Sequence, residues 1–127
     1  RFQDATYLPG TVTLLVFNHE VEFIQRGLAL DRREYAWQPG MAMELAPKGI
    51  RVNCVAPGSI DFPDGFWDGI HKGNEAFYNM VVASIPFGRM GRPEEVANAV
   101  VFLSSPKASW VSGAMVPVDG VQHKGNL

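Results

Sequence analysis

Long apolar runs, paired cysteines and blocks of like charge are all missing from this sequence, and each absence closes off a class of protein. No stretch approaches the roughly 18 consecutive apolar residues that a membrane-spanning helix needs. The first residues, RFQDATYLPG, lack the charged region and apolar core of a secretion signal, so the expected location is cytoplasmic. The single cysteine, Cys54, excludes an internal disulfide; lying inside the apolar run Ile50–Pro57, it reads as a small buried hydrophobe in a reducing compartment. Lys and Arg number 11 against 13 Asp and Glu, a formal net charge of −2, with no run of five like charges. Such a balance offers no basic stripe to nucleic acid and none to an anionic membrane.

What is present is ordinary globular material: 127 residues, 46% hydrophobic and 19% charged, enough for one domain with a real core. Gly10 leads into the β-branched and apolar run 11–18, which reads as a buried strand. From His19 to Trp37 the apolar residues Val21, Ile24, Leu28, Leu30 and Tyr35 follow a loose helical period, broken by Pro39-Gly40. Met41–Ala46 is again helix-like, and Pro47-Lys48-Gly49 ends it, with the glycine able to take positive φ. IRVNCVAP, residues 50–57, suits a strand buried on both faces.

Further on, Pro93 suits a first helical turn and Glu94 and Glu95 complement its dipole, with Val96, Ala99, Val100 and Leu103 as the inward stripe. Ser104-Ser105-Pro106 stops this helix, and AMVPVDG (114–120) reads as a last strand whose Pro117 marks an edge. Between strand and helix, residues 61–90 form an aromatic, Gly-punctuated insertion in short helical spacings, too long for a simple connector. The expected fold is therefore α/β: a single domain with a partial Rossmann-like parallel sheet of about three strands, flanked by helices. A half-sheet of this kind leaves a strand edge and an apolar helix face to cover, so a homo-oligomer is expected.

Two strings carry more than fold. MAMELAPKGIRVNCVAPGSI (41–60) and IPFGRMGRPEEVANAVVFLSSPKASWVSGAMVPVDG (85–120) resemble the C-terminal part of the short-chain dehydrogenase/reductase family, a likeness covering about two-thirds of the chain, residues 41–127. The resemblance implies NAD or NADP as cofactor. It also implies a nicotinamide pocket lined, largely by backbone groups, at Pro57, Gly58, Ser59 and Ile60. The location agrees with the rule that ligands of open parallel sheets lie beyond the carboxyl ends of the strands. Phe62 stands where the family often has a Thr that contacts the carboxamide, and residues 61–90 take the place of a lid over the pocket.

Residues 1–40 do not match. A dinucleotide site in this fold uses glycines between the first strand and helix, and no such motif occurs; Gly65, Gly69 and Gly73 follow no strand and read as loop and helix ends. The family's catalytic Tyr position falls on Gly27 and its Lys position on Asp31, while Pro39 stands where a Lys partner of Tyr35 would be. Val16-Phe17-Asn18 offers no hydroxyl at the end of the first strand. The implied function is a truncated or diverged member of the NAD(P)-dependent oxidoreductase family that does not bind cofactor tightly or transfer hydride alone.

Two alternatives rest on other residues. A non-catalytic binding or oligomerisation subunit would use the aromatic insertion and the turn at Pro57. A carboxylate-based hydrolase would need paired acids, for which Asp61 and Asp64 beside Phe62 and Phe66 are candidates, with His19 and Glu20 as a second acid/base pair. Asp caps at a helix start and a polar helix entry explain the same residues without catalysis. His71 and His123 lack ligand spacing, so no metal is expected. Asp119-Gly120 makes a turn, and Val121–Leu127 reads as a polar tail that packs on a partner subunit.

Overall fold

The structure is a computed structural model that describes the backbone of residues 12–16 and all of residues 40–123. The helix expected over 19–37, the residues His19, Glu20, Gly27, Asp31 and Tyr35, and the last four residues of the tail lie outside the described residues. Among the described residues, three parallel strands form one sheet: β1 (Val12–Val16), β2 (Arg51–Pro57) and β3 (Met115–Val118), in the spatial order β1-β2-β3. β1 runs beside β2 from Val12↔Arg51 to Val16↔Val55, and β3 joins its other side from Cys54↔Met115 to Pro57↔Val118. The central place of β2 explains its composition. Val52, Asn53, Cys54 and Val55 are all fully buried, as a strand covered on both faces requires.

Between β1 and β2 the residues 40–45 are helical, and the 3₁₀ turn Ala46–Lys48 follows. Gly49 closes it at φ 71°, its N–H donating to the Ala46 carbonyl, as the Pro47-Lys48-Gly49 signal implied. Helix α1 spans Phe66–Gly73, α2 Glu75–Ser84 and α3 Pro93–Ser104. α3 lies against all three strands, burying Leu103 and half-burying Val96, Ala99 and Val100. Its C-terminal end is fastened to the start of β2 by Arg51, whose guanidinium donates to the carbonyls of Leu103 (2.7 Å), Val111 (3.2 Å) and Ser105 (3.3 Å). Cations placed there also meet the negative end of the helix.

The insertion is a helical hairpin with a core of its own. Trp67, Ile85 and Met90 are buried, with Ile70, Phe77, Tyr78, Val81 and Val82 packed around them, and the rings of Trp67 and Phe77 stack at 6.4 Å. Phe62, Phe66 and Met80 face outward instead. Two local expectations need correction. Gly69 sits inside α1 rather than in a loop, and the α1 start is capped by Gly65 and not by an Asp side chain. Asp68 instead accepts the backbone N–H of Asp64 at 2.9 Å and pairs with Lys72, which holds Asp64 at φ 60°.

Candidate nicotinamide-side turn

All three strands run parallel, so their carboxyl ends open on one side of the sheet, and the chain leaving β2 there passes through Pro57, Gly58, Ser59 and Ile60. Pro57, Gly58 and Ser59 are buried and Ile60 is half-buried. Each link of this turn is held by a neighbouring backbone. Gly58 N–H donates to the Val118 carbonyl at 3.1 Å, prolonging the β2–β3 ladder by one bond. Gly91 N–H donates to Ser59 C=O at 2.8 Å and Asp61 N–H donates to Gly91 C=O at 2.9 Å, forming a parallel bridge between Ile60 and Gly91. A parallel bridge uses the groups on either side of its central residue, so the N–H and C=O of Ile60 itself point away from Gly91.

Glycine is needed at Gly58 because the backbone of the next turn touches it, whereas Gly91 is crowded only by a side-chain tip. A Cβ on Gly58 would lie 2.7 Å from Asp119 Cβ, 2.8 Å from Asp119 Cα and 2.8 Å from Gln122 Oε1. One on Gly91 would meet Ile60 Cδ1 at 2.6 Å.

The turn after β3 packs directly on the turn after β2. Gln122 Oε1 accepts the Ser59 N–H at 2.9 Å, and Gln122 Nε2 donates to Ser59 Oγ at 2.9 Å. Asp119 fixes the shape of its own turn by accepting the N–H groups of Val121 (2.9 Å) and His123 (3.1 Å) and pairing with the His123 ring through Nδ1. Burial pushes the Asp119 carboxyl up, but the His123 ring and these N–H donors outweigh it and hold it below the usual carboxylate range. Over the described part of the tail, residues 121–123 fold back on the chain's own turn. Sequence reading missed Gln122, since nothing local marks a glutamine whose partner is 63 residues away.

Around these turns stand three further groups. Tyr78 of α2 donates its hydroxyl to Asp61 Oδ2 at 2.8 Å, tying the helical hairpin to the end of the turn, while the His71 ring stacks on Tyr78 at 4.1 Å. Burial, and next the acceptor Asp61, push the Tyr78 phenol up to about 12. Beyond Gly91, Arg89 grips Glu95 with both guanidinium nitrogens, and Glu95 accepts the Arg92 N–H at 2.8 Å at the start of α3. A cleft of about 350 Å³ lies beside Gly91, Asp119 and Gly120, walled by Phe87, Val118 and the Arg89–Glu95 pair.

The acidic candidates are not drawn together. Asp61 is engaged by Tyr78, and Asp64 is exposed on the surface with its N–H bound to Asp68; neither lines this cleft. Phe62 folds its ring over Gly65, whose Cβ would meet Phe62 Cζ at 2.8 Å. Among the described residues, no three His, Cys, Asp or Glu side chains gather as a metal site, and no helix is long and apolar enough to cross a membrane.

Parallel strands, a crossover helix on the sheet and a braced turn beyond the central strand define a Rossmann-like α/β protein. A family profile described as enoyl-(acyl carrier protein) reductase matches residues 38–121, and the chain belongs to the short-chain dehydrogenase/reductase family. The uncharacterized oxidoreductase YmfI of Bacillus subtilis is 40% identical over 90 residues, 71% of this chain and 35% of that protein. Isoepoxydon dehydrogenase patN of Penicillium expansum is 47% identical over 81 residues, 64% of this chain and 31% of that one. The chain thus spans about a third of the length of these curated relatives. A blue fluorescent protein from a metagenomic library, solved in complex with NADPH, superimposes with a TM-score of 0.70 at 26% identity, over 91% of this chain and 47% of that one.

Proposed function

We propose that residues 41–123 form the nicotinamide-side wall and lid of an NAD(P)-dependent oxidoreductase site. The observation that carries this is the orientation of Ile60: its N–H and C=O face away from the Gly91 bridge at the carboxyl end of the central parallel strand. A carboxamide, with one acceptor and two donors on a flat group, is matched by one N–H and one C=O on extended backbone. The closeness of Gly58 to Asp119 keeps the turn flat against the sheet, leaving the edge of Ile60 to the ligand. A bound nicotinamide cofactor would supply the hydride; this chain's described residues bind and orient.

The helical hairpin 66–84 is the lid of this site. Its tie to the turn is the Tyr78–Asp61 hydrogen bond, and Phe66 at its start, with Phe62 in the segment leading to it, is exposed. Catalysis of hydride transfer falls outside what this chain does alone. No Tyr-x-x-x-Lys stands at the family positions, which Gly27 and Asp31 occupy, and no glycine fingerprint follows a strand. The protein works as a homo-oligomer in the cytoplasm.

Binding is the direct test. In titrations with NADH or NADPH, tryptophan fluorescence should reveal no tight complex, while the backbone amide resonances of Ser59, Ile60 and Asp61 should shift at millimolar cofactor. Amide resonances in that segment that stay fixed for both cofactors would refute the assignment of the turn.

A further inference from the structure

We infer that Gln122 is a positioning residue: it sets the conformation of the Pro57–Ile60 turn from a segment more than sixty positions away. Its side-chain amide spans Ser59 completely, accepting from the backbone N–H and donating to the hydroxyl, both at 2.9 Å. A side-chain amide accepts through its oxygen and donates through its nitrogen, both carried on one carbon, so the pair holds both the backbone N–H and the hydroxyl of Ser59. Ser59 is only 3% exposed, so an N–H deprived of this acceptor has little water to turn to.

The support behind Gln122 is equally specific. Its own N–H donates to the Asp119 carbonyl at 3.1 Å, and the Asp119 carboxylate holds the N–H groups of Val121 and His123. Val121 sits at φ 67°, a left-handed conformation unfavourable for a β-branched residue, which those Asp119 bonds sustain. The same turn supports the end of the lid, since Gly120 C=O accepts the Phe87 N–H at 3.3 Å. One short segment after β3 therefore braces both the ligand-facing turn and the hairpin's return.

The role in cofactor binding rests on the proposed nicotinamide-side turn, but the brace itself does not, and the experiment separates them. Amide hydrogen exchange is measured on the intact chain without cofactor, for wild type, Gln122→Ala and Ser59→Ala. Gln122→Ala should raise exchange at Ser59 at least about tenfold, the loss of one hydrogen bond, and leave Val52–Val55 of β2 at wild-type rates. Ser59→Ala, which keeps the N–H acceptor, should change it much less. Protection of Ser59 that persists in Gln122→Ala overturns the inference, as does a rise spread equally over β2, which marks general loosening. In a parallel NADPH titration read at the Ile60 amide, Gln122→Ala should move the midpoint upward about tenfold. An unchanged midpoint where wild type responds also overturns the inference. A wild type that does not respond at all overturns the nicotinamide reading, and the exchange data then decide the brace alone.

Discussion

At the scale of single residues, the site depends on side chains that are missing as much as on those present. Gly58 is the clearest case, because the atoms a Cβ would meet include the Asp119 backbone, which cannot swing aside as a side-chain tip can. Gly58→Ala should lower stability by roughly 1–3 kcal/mol, the usual penalty of overpacking, seen as a lower urea midpoint at unchanged slope. A midpoint within error of wild type would mean that the two turns are not in contact. Cys54 shows the opposite, a residue whose role ends at packing: it is fully buried, and desolvation pushes its thiol up, away from the reactive thiolate. Asn53, polar yet equally buried between them, donates to Val111 C=O at 2.9 Å and accepts Ala114 N–H at 3.1 Å, stitching the loop before β3 to the central strand.

At the scale of elements, the sequence was most legible where the signal is local. β-Branched runs gave β2 and β3, Pro47-Lys48-Gly49 gave the stop before β2, and Pro93-Glu94-Glu95 gave the start of α3, because each is a property of adjacent residues. The likeness in residues 41–60 placed the turn. What escaped was everything spanning distant segments: the Gln122–Ser59 pair, the amide of Asn53 inside an apolar run, and the Tyr78–Asp61 tie between hairpin and turn. Hydrogen bonds of this kind have no period. The start of α3 also carries a pH signature. Arg89, then the Arg92 N–H, hold the Glu95 carboxyl down at about 2, below the ordinary value of about 4.3 of an unfolded chain. A lowered folded pKa favours the folded state above the unfolded value and ceases to do so as pH falls toward about 2. The melting temperature of Glu95→Gln should thus lie below that of wild type at neutral pH, with the gap closing in acid. A gap independent of pH would assign the effect to shape rather than charge.

At the scale of the whole molecule, the described sheet is a strip of three strands with β3 bounded by β2 on one side only. Its outer strand is short and carries the exposed Pro117, which weakens the edge as a template for further strands without covering it. On the neighbouring helix α3, Val101 is 67% exposed and Phe102 49% exposed, beside the inward stripe that meets the sheet. The edge of β3 in the described sheet and the outward Val101 and Phe102 are the features that a two-fold copy would cover in the proposed homo-oligomer, each protomer offering both patch and complement. Light scattering at micromolar concentration should give a mass at least twice that of the 14.0 kDa chain. Val101→Glu together with Phe102→Glu should shift it toward one chain, because burying two carboxylates without partners opposes association. A wild type that scatters as one chain and still melts cooperatively would show that the chain is stable without a second copy.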